Sequence, residues 1–322
     1  MLLLGLETSC DETAAAIVKD GKFILSNVVA TSLQEHQPFG GIIPEIASRR
    51  QLEFINIVVS KVLNEAQIQL KKIDAIAVTR EPGLIGSLLV GISYARALSF
   101  ALDKPLIEVD HIKAHLYANF LTFKKSTSSG ERTFPSLPVI GLVVSGGHSS
   151  LFHITQFNRF KLLGQTRDDA AGEAFDKVAR ILNLGYPGGP IIDQLARQGK
   201  NSKIRFSSAE LPNTLDFSFS GVKTAVLYYK QKYKEQNSLP IPQIAYAFQD
   251  SVVSILVKKC IEGCKKKKIR TLLIGGGVAA NSYLRERLID EAQGNGINVF
   301  FPPPALCVDN AAMIAGLGYH FI

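Results

Sequence analysis

The chain has 322 residues, of which 46% are hydrophobic and 20% charged, and it contains 26 glycines and 14 prolines. This length indicates two domains, and the composition excludes a disordered, collagen-like or coiled-coil protein. A formal net charge of +8 favours an anionic partner, and four cysteines without a CxxC pair are typical of a reduced, intracellular protein.

The N-terminal apolar stretch does not have the features of a targeting segment. Residues 1–6 are too few for a signal peptide and run directly into acidic residues. No apolar run in the sequence approaches the roughly 18–20 residues that a membrane span needs. We therefore expect a soluble cytoplasmic protein.

The first half of the chain predicts an α/β unit that begins with a meander. A polar turn at 7–13 separates the first two strands, and Asp20-Gly21 forms a hairpin before the third. Apolar residues at helical spacing then predict a helix, on the pattern Leu52, Ile55, Val59 and Leu63. In order, the predicted elements are strands at 2–6, 14–18 and 22–29, a helix over 46–66, a strand at 73–79, a helix over 85–102 and a strand at 106–109.

The second half repeats the opening pattern of the first. The segment 124–138, rich in Ser, Thr, Lys and Pro, predicts a linker or exposed loop. After it come predicted strands at 139–144, 149–155, 160–165 and 271–274, and helices over 280–292 and 311–318. The recurrence of strand, hydroxyl-containing turn and strand indicates a duplicated α/β unit with two facing domains.

Three turns are candidates for binding phosphate. The turn at 7–13 and the turn Ser145-Gly146-Gly147-His148 each crowd backbone N–H groups and hydroxyls between two strands. Either turn alone is typical of an ordinary hairpin, but a matched pair favours an anionic ligand. Gly275-Gly276-Gly277 follows a strand and precedes a helix, so its N–H groups can also face a ligand. The sequence has neither a GxGxxG motif nor a P-loop lysine there.

Two histidines lie at the spacing of one helical turn. His111 and His115 can share one divalent metal, and Asp309 is the best candidate for a third ligand. A metalloprotease of the HExxH type is disfavoured because Ile112 replaces the glutamate that follows the first histidine. The alternative is two histidines on the surface of a helix.

Charged clusters admit both structural and functional interpretations. Capping of a helix explains Asp168 and Asp169, whereas Asp176 and Asp193, on either side of a Gly188-Gly189 turn, favour recognition of ribose or another hydroxyl. The lysines at 265–268 indicate a solvated helix end, with contact to RNA as the alternative.

Taken together, these motifs resemble the tRNA N6-adenosine threonylcarbamoyltransferase family in its bacterial form. The resemblance covers the whole chain. It rests on the blocks at 7–13, 39–45, 111–115, 144–148, 215–224, 276–281 and 309–315.

The resemblance implies an actin-like ATPase fold of two ribonuclease H-like domains facing a cleft, with limits at 1–122 plus 308–322 and at 123–307. It implies transfer of a threonylcarbamoyl group from threonylcarbamoyl-AMP to N6 of adenosine 37 in tRNAs that read ANN codons. The implied ligands of one divalent metal, Fe²⁺ or else Zn²⁺, are His111, His115 and Asp309. The implied substrate-binding residues are Val143, Val144, Ser145, Gly146, Gly147, Asp176, Gly189, Asp193 and Asn281.

The same resemblance implies an inactive paralogue subunit and a small P-loop ATPase as partners, besides tRNA. We expect the paralogue to contact the helical face at 46–63. The family usually has Gly at the position of Glu81 and often His at the position of Gln51. The competing hypotheses are an ATP-dependent small-molecule kinase or carbamoyltransferase, and a non-enzymatic scaffold controlled by nucleotide.

Overall fold

The computed structural model describes residues 1–123, 133–200, 203–207, 211–233 and 239–322. Its internal contacts divide the chain into two compact units: Met1–Pro135 with Pro302–Ile322 (unit 1), and Ser136–Phe301 (unit 2). The predicted domain limits, after residues 122 and 307, lie near these divisions. The exact limits stay a prediction. Residues 124–132 of the predicted linker lie outside the described residues.

Unit 1 contains a six-stranded sheet in the order β5-β4-β1-β2-β3-β6. β1 pairs antiparallel with β2 and β2 with β3, whereas β4 and β5 extend the sheet parallel to β1. β1 is buried from Leu3 onward, as a strand covered on both faces must be. The strands are β1 (Leu2–Glu7), β2 (Glu12–Lys19), β3 (Phe23–Thr31), β4 (Ala75–Glu81), β5 (Leu106–Asp110) and β6 (Thr122–Phe123).

Unit 2 repeats this topology with five strands in the order β11-β10-β7-β8-β9. Again the first three strands form an antiparallel meander, and two later strands add parallel to the first of them. The strands are β7 (Val139–Val144), β8 (Ser149–Gln156), β9 (Arg159–Gln165), β10 (Thr271–Gly275) and β11 (Asn298–Phe300). The duplication predicted from the sequence is therefore present in the order and direction of the strands.

Ten α-helices are described. They are α1 (Leu33–His36), α2 (Pro44–Ala66), α3 (Ile85–Leu102), α4 (His111–Tyr117), α5 (Ala171–Ile181), α6 (Gly188–Ala196), α7 (Ser220–Lys232), α8 (Ile241–Lys267), α9 (Ser282–Gly294) and α10 (Ala311–Gly318). The predicted ranges of α2, α3 and α10 agree closely with these helices, whereas for α8, the longest of them, only the C-terminal end at 265–268 was predicted.

Two details differ from the sequence-based expectations. The helix expected from residue 280 begins at Ser282, because the side chain of Asn281 caps it by accepting a hydrogen bond from Leu284 N at 2.8 Å. In α2 one position departs from the predicted apolar pattern, whereas Ile55 and Val59 are buried as predicted. Leu52 is 64% exposed, whereas Gln51 beside it is buried.

Helix α3 is the one helix in the described ranges that has the length and apolar composition of a membrane span. The sequence analysis had expected none. Only 17% of the helix is buried, and its buried positions are the small residues Ser87, Gly91 and Ala95. A single helix of this kind is weak evidence for a membrane, since length and composition are all that the test uses.

Helix α10 packs directly on β1 and also contacts α4 and β4. The approach is close because Gly5 of β1 has no side chain. An added Cβ there would lie 2.3 Å from the carbonyl oxygen of Ala311 and 2.9 Å from Cβ of Ala315. The C-terminal helix thus becomes part of unit 1, and its first residues lie beside the end of β5 and the start of α4.

Candidate metal centre and phosphate-type turns

The two histidines lie on the first turns of α4, directly after β5. The side chain of Asp110 caps this helix by accepting a hydrogen bond from Lys113 N at 3.0 Å, so the helix begins at His111. His111 and His115 therefore share one helix face, and their ring centroids are 4.7 Å apart. Both are buried, so the interpretation as surface histidines is wrong.

Asp309 is the residue before the N-cap of α10, and its carboxylate lies beside the two histidines. The side chain of the buried Asn310 accepts a hydrogen bond from Met313 N at 3.0 Å and donates one to the carbonyl of Val308 at 2.8 Å, which holds the turn. One carboxylate oxygen of Asp309 lies 3.5 Å from Nε2 of His111 and 3.1 Å from Nε2 of His115. The three ligand atoms all lie within 4.8 Å of one another.

The chemistry of this cluster fits a metal ion. His115 is completely buried, yet neither of its ring nitrogens has a hydrogen-bond partner among the described residues, even though Nε2 lies close to Asp309. A buried imidazole without partners is costly unless something else binds it. Two imidazole nitrogens and one carboxylate oxygen suit a first-row divalent ion and leave positions open for substrate. The His-His-Asp group could therefore hold a metal.

A fourth residue, Glu7, contacts this cluster from the end of β1. Its Oε2 lies 2.9 Å from Nδ1 of His111. Burial alone would lower the pKa of His111, but the carboxylates of Glu7 and Asp309 outweigh burial and raise it to about 9. The sequence analysis had placed Glu7 in a turn and had not included it in the site. Glu7 meets His111 because β1, β4 and β5 are parallel and their carboxyl ends share one sheet edge, an order that was not predicted from the sequence.

The turn after β1 carries further acidic groups. Burial, followed by the charges of Asp309 and Asp11, raises the pKa of Glu12 well above its usual value. Burial and Asp11 also raise the pKa of the Cys10 thiol, so this cysteine is not activated as a thiolate. The surroundings of the turn are thus strongly acidic and would attract a cation.

In unit 2 the predicted turn at 145–148 follows the buried residues Val143 and Val144 of β7. It closes with a hydrogen bond from Ser145 N to the carbonyl of His148 at 2.8 Å. Added Cβ atoms at Gly146 and Gly147 would meet nothing within 4 Å, so this backbone is open on its outer side. Exposed N–H groups of this kind can approach an anionic ligand.

The turn at 145–148 is packed between two other glycine-containing segments. Gly172, at the start of α5, lies so close that an added Cβ would be 2.6 Å from the carbonyl oxygen of Ser145. Gly276 has φ +90°, and its Cβ would be 2.4 Å from the carbonyl oxygen of Val144. Only glycine suits this position, both for its backbone conformation and for the space available.

Hydrogen bonds at the N-terminal ends of α6 and α9 hold the remaining predicted residues of unit 2 in place. Asp176 accepts a hydrogen bond from Gly188 N at 2.7 Å, beside Gly189, and burial raises its pKa. Asp193 accepts from the Ser282 hydroxyl at 2.9 Å, next to Asn281. The Asn281 side-chain amide donates to Gln249 Oε1 at 2.8 Å as well as capping α9. These contacts bring α5, α6 and the start of α9 together.

Asp168 has the predicted capping role, although at another helix, whereas Asp169 forms ion pairs instead. Asp168 accepts hydrogen bonds from Phe219 N at 2.8 Å and from the Ser220 hydroxyl at 2.7 Å, at the start of α7 rather than α5. Asp169 lies 2.5 Å from the Lys177 amine and 2.8 Å from the Lys223 amine. Both side chains thus fasten α7 to the segment before α5.

Comparison with known proteins shows a family match over most of the chain. Residues 23–316 match the family described as tRNA N6-adenosine threonylcarbamoyltransferase. A relative of that name from Clostridium kluyveri is 48% identical over 320 residues, which cover 98% of this chain and 91% of the relative. One from Symbiobacterium thermophilum is 49% identical over 319 residues, covering 99% and 91% respectively.

Solved structures with low sequence identity share the fold. The HypF protein of T. kodakarensis matches 99% of this chain and 47% of its own, with a TM-score of 0.65 at 15% identity. Component A of the (R)-2-hydroxyglutaryl-CoA dehydratase of Acidaminococcus fermentans matches 100% and 98%, with a TM-score of 0.54 at 17% identity. The predicted actin-like α/β fold class is confirmed.

Proposed function

The chain belongs to the tRNA N6-adenosine threonylcarbamoyltransferase family and is an acyltransferase that acts on tRNA, and we propose that it transfers threonylcarbamoyl from threonylcarbamoyl-AMP to N6 of adenosine 37 in tRNAs reading ANN codons. The observation that carries the proposal is the meeting of His111, His115 and Asp309, where neither ring nitrogen of the buried His115 has a hydrogen-bond partner among the described residues. The acceptor base and the metal dependence are the parts that need testing.

We propose that His111, His115 and Asp309 hold one divalent ion, Fe²⁺ in preference to Zn²⁺. When bound, such an ion supplies a Lewis acid for a carbonyl or phosphate oxygen of the substrate. The residues fit this role because two nitrogens and one oxygen leave coordination positions open.

The open backbone of unit 2 is proposed to bind the adenylate. Gly146 and Gly147 offer N–H groups to its phosphate, on a turn that Val143, Val144 and Ser145 position. Gly189 lies at the start of α6, where N–H groups can meet an anion or a hydroxyl, and Asp176 of α5 accepts a hydrogen bond from Gly188 N beside it. In this proposal Asp193 and Asn281 bind the nucleoside, and the hydrogen bonds of Asp193 to Ser282 and of Asn281 to Gln249 keep both side chains in place.

The proposed reaction needs no covalent enzyme intermediate, since the mixed anhydride is already activated. The N6 amine forms a bond to the carbamoyl carbon while the bond from that carbon to the phosphate oxygen breaks, and AMP leaves as the anion. The amine loses one proton. The chain has to hold the two reactants in line and to stabilise the departing phosphate charge, for which the Gly146 and Gly147 amides are suited.

An apolar helical face in unit 1 is the proposed contact for an inactive paralogue. α2 and α3 pack together, and five large apolar side chains on them are more than half exposed. They are Leu52, Ile57, Ile85, Leu89 and Phe100. Exposed apolar residues in such number mark interaction sites. A small P-loop ATPase completes the proposed cytoplasmic assembly.

The test is a transfer assay. The protein, with and without the proposed partner proteins, is incubated with threonylcarbamoyl-AMP and unmodified tRNA, and the nucleosides are analysed by mass spectrometry. We expect the modified adenosine to form and its formation to be abolished by a chelator. His111→Ala should lose transfer yet retain binding of the adenylate, while His153→Ala, on β8 of unit 2, serves as the matched control.

Two results would contradict the proposal. Undiminished transfer by His111→Ala would remove the metal centre from the reaction. Absence of modified nucleoside even with the partners present, together with transfer of phosphate to a small metabolite, would favour the kinase hypothesis.

A further inference from the structure

The buried carboxylate of Glu7 in unit 1 has no role in the proposed function. Glu7 is 0% exposed and is the last residue of β1. A buried carboxylate is costly unless donors surround it. The donors around the Glu7 carboxylate should therefore indicate its role.

Three donors converge on this carboxylate. Ser9 N donates to Oε1, and the Thr79 hydroxyl donates to Oε2 at 2.6 Å. Nδ1 of His111 lies 2.9 Å from the same Oε2. The other polar atom near Nδ1 is the Ser9 hydroxyl, at the longer distance of 3.3 Å. The hydrogen bonds from Ser9 and Thr79 thus hold the carboxylate in place, and its Oε2 also faces the imidazole of His111.

We propose that Glu7 is a positioning residue for His111: it accepts the Nδ1–H hydrogen bond and so leaves Nε2, the nitrogen that faces Asp309, free to bind the metal. This inference rests on the metal centre of the proposed function. A carboxylate oxygen that already receives a hydroxyl proton acts as an acceptor, so the imidazole must be the donor at Nδ1. In the neutral ring, which is the form that binds a metal, the lone pair is then at Nε2, 3.5 Å from Asp309.

The same contact sets the orientation of the ring. Ligating histidines commonly donate their second N–H to a carboxylate, which raises the basicity of the ligand and restrains its rotation. His115, by contrast, has no such partner among the described residues. The two histidines therefore differ, and the site depends on Glu7 through His111 alone.

The substitution Glu7→Gln separates this role from simple packing. If the Gln amide oxygen faces His111, its NH₂ group faces the Ser9 N–H and two donors meet. If the oxygen faces Ser9 instead, the NH₂ group faces Nδ1 and favours the tautomer with the proton on Nε2, the metal-binding nitrogen. The first orientation is disfavoured because the two donors meet, and the second, which satisfies the Ser9 N–H, disfavours metal binding, whereas the volume of the side chain hardly changes.

The test measures metal affinity without substrate. The full-length chain is stripped of metal and titrated with Co²⁺ in competition with a chelator of known affinity, and binding is followed by visible absorption. We expect Glu7→Gln to weaken binding by about 10- to 100-fold. Glu108→Gln, another glutamate of the same sheet that contacts Arg96 instead, is the matched control and should bind like the wild type.

A double-mutant cycle with His111→Ala tests whether Glu7 acts through that histidine. In the His111→Ala background, Glu7→Gln should weaken Co²⁺ binding by no more than about twofold. An equal loss in both backgrounds, or wild-type affinity in Glu7→Gln, overturns the proposal. Failure of the wild-type chain to bind Co²⁺ would instead overturn the metal centre, and with it the proposed function.

A second variant keeps the test decisive if Glu7→Gln does not fold, as judged by circular dichroism. Glu7→Asp retains the charge but withdraws it from Nδ1 by one methylene. It should weaken binding by at least about threefold. Unchanged affinity in this variant would also overturn the proposal.

Discussion

The turn between β1 and β2 depends on one buried amide. The Gln51 side chain, in α2, donates from Nε2 to the carbonyl oxygens of Cys10 at 2.8 Å and Glu12 at 3.2 Å, with that of Thr8 at 3.4 Å. Backbone carbonyls buried without donors are costly. Gln51 therefore stabilises the segment that follows Glu7, at a position where the family often has His.

We predict that Gln51→Leu lowers the free energy of unfolding by about 1–3 kcal/mol, because it fills a similar volume but removes the amide hydrogen bonds to these carbonyls. Of the three, the carbonyl of Cys10 keeps the Ser87 hydroxyl as a donor at 3.2 Å. Gln51→His, which can still donate one N–H, should recover part of the loss. Chemical denaturation measures both. A Gln51→Leu protein as stable as the wild type would show that the amide is not needed.

At the scale of elements, the metal centre is produced by parallel strands that end at one edge of the sheet. Glu7 ends β1, and His111 follows β5 directly. Asp309 comes from the distant C-terminus, and it reaches the site because α10 packs on β1 at Gly5. The distance between α10 and the sheet therefore determines whether the third ligand is in place.

Gly5→Ala is predicted to displace α10. The new Cβ would lie 2.3 Å from the carbonyl of Ala311, and overpacking of this kind costs about 1–3 kcal/mol. Both stability in denaturant and affinity for Co²⁺ should fall. The matched control is Gly294→Ala at the end of α9, where an added Cβ meets nothing within 4 Å. If Gly5→Ala kept full Co²⁺ affinity, the position of Asp309 would not depend on this packing.

At the scale of the whole molecule, charge is the property that matters for the tRNA substrate. The net charge is +8, with 36 basic and 28 acidic residues. Binding of a polyanion releases counterions, so affinity for tRNA falls as salt rises. The lysines at 265–268 end α8, and Lys265 and Lys266 are exposed.

We predict that the dissociation constant for tRNA rises by about 10- to 100-fold between 50 and 200 mM salt. Lys265→Gln combined with Lys266→Gln should leave the slope of this dependence unchanged, as expected for a solvated helix end. Fluorescence anisotropy with labelled tRNA measures both. A shallower slope in the double variant would mean that these lysines contact the phosphate backbone.

Much of the fold could be predicted from periodicity and turn residues. The limits of β7, α3 and α10 agree with the predicted ranges, because apolar patterning and the flanking turn residues act over a few residues. On the buried face of α2, Ile55 and Val59 were predicted correctly, but the first position of the pattern was not. Leu52 is exposed and Gln51 is buried, since the carbonyls that Gln51 binds come from a different part of the chain.

The same distinction, between local features and contacts of distant residues, applies to the candidate site. The spacing of His111 and His115 and the motif around Asp309 gave three candidate ligands from the sequence, because each motif is local, and the structure brings the three residues together. That Glu7 contacts His111, 104 residues away, follows only from the parallel order β5-β4-β1, which brings the strand ends together. The sequence by itself determined the elements and the residue types of the site. The tertiary structure alone decided which buried polar groups meet, because partners distant in the chain are selected by packing and not by spacing.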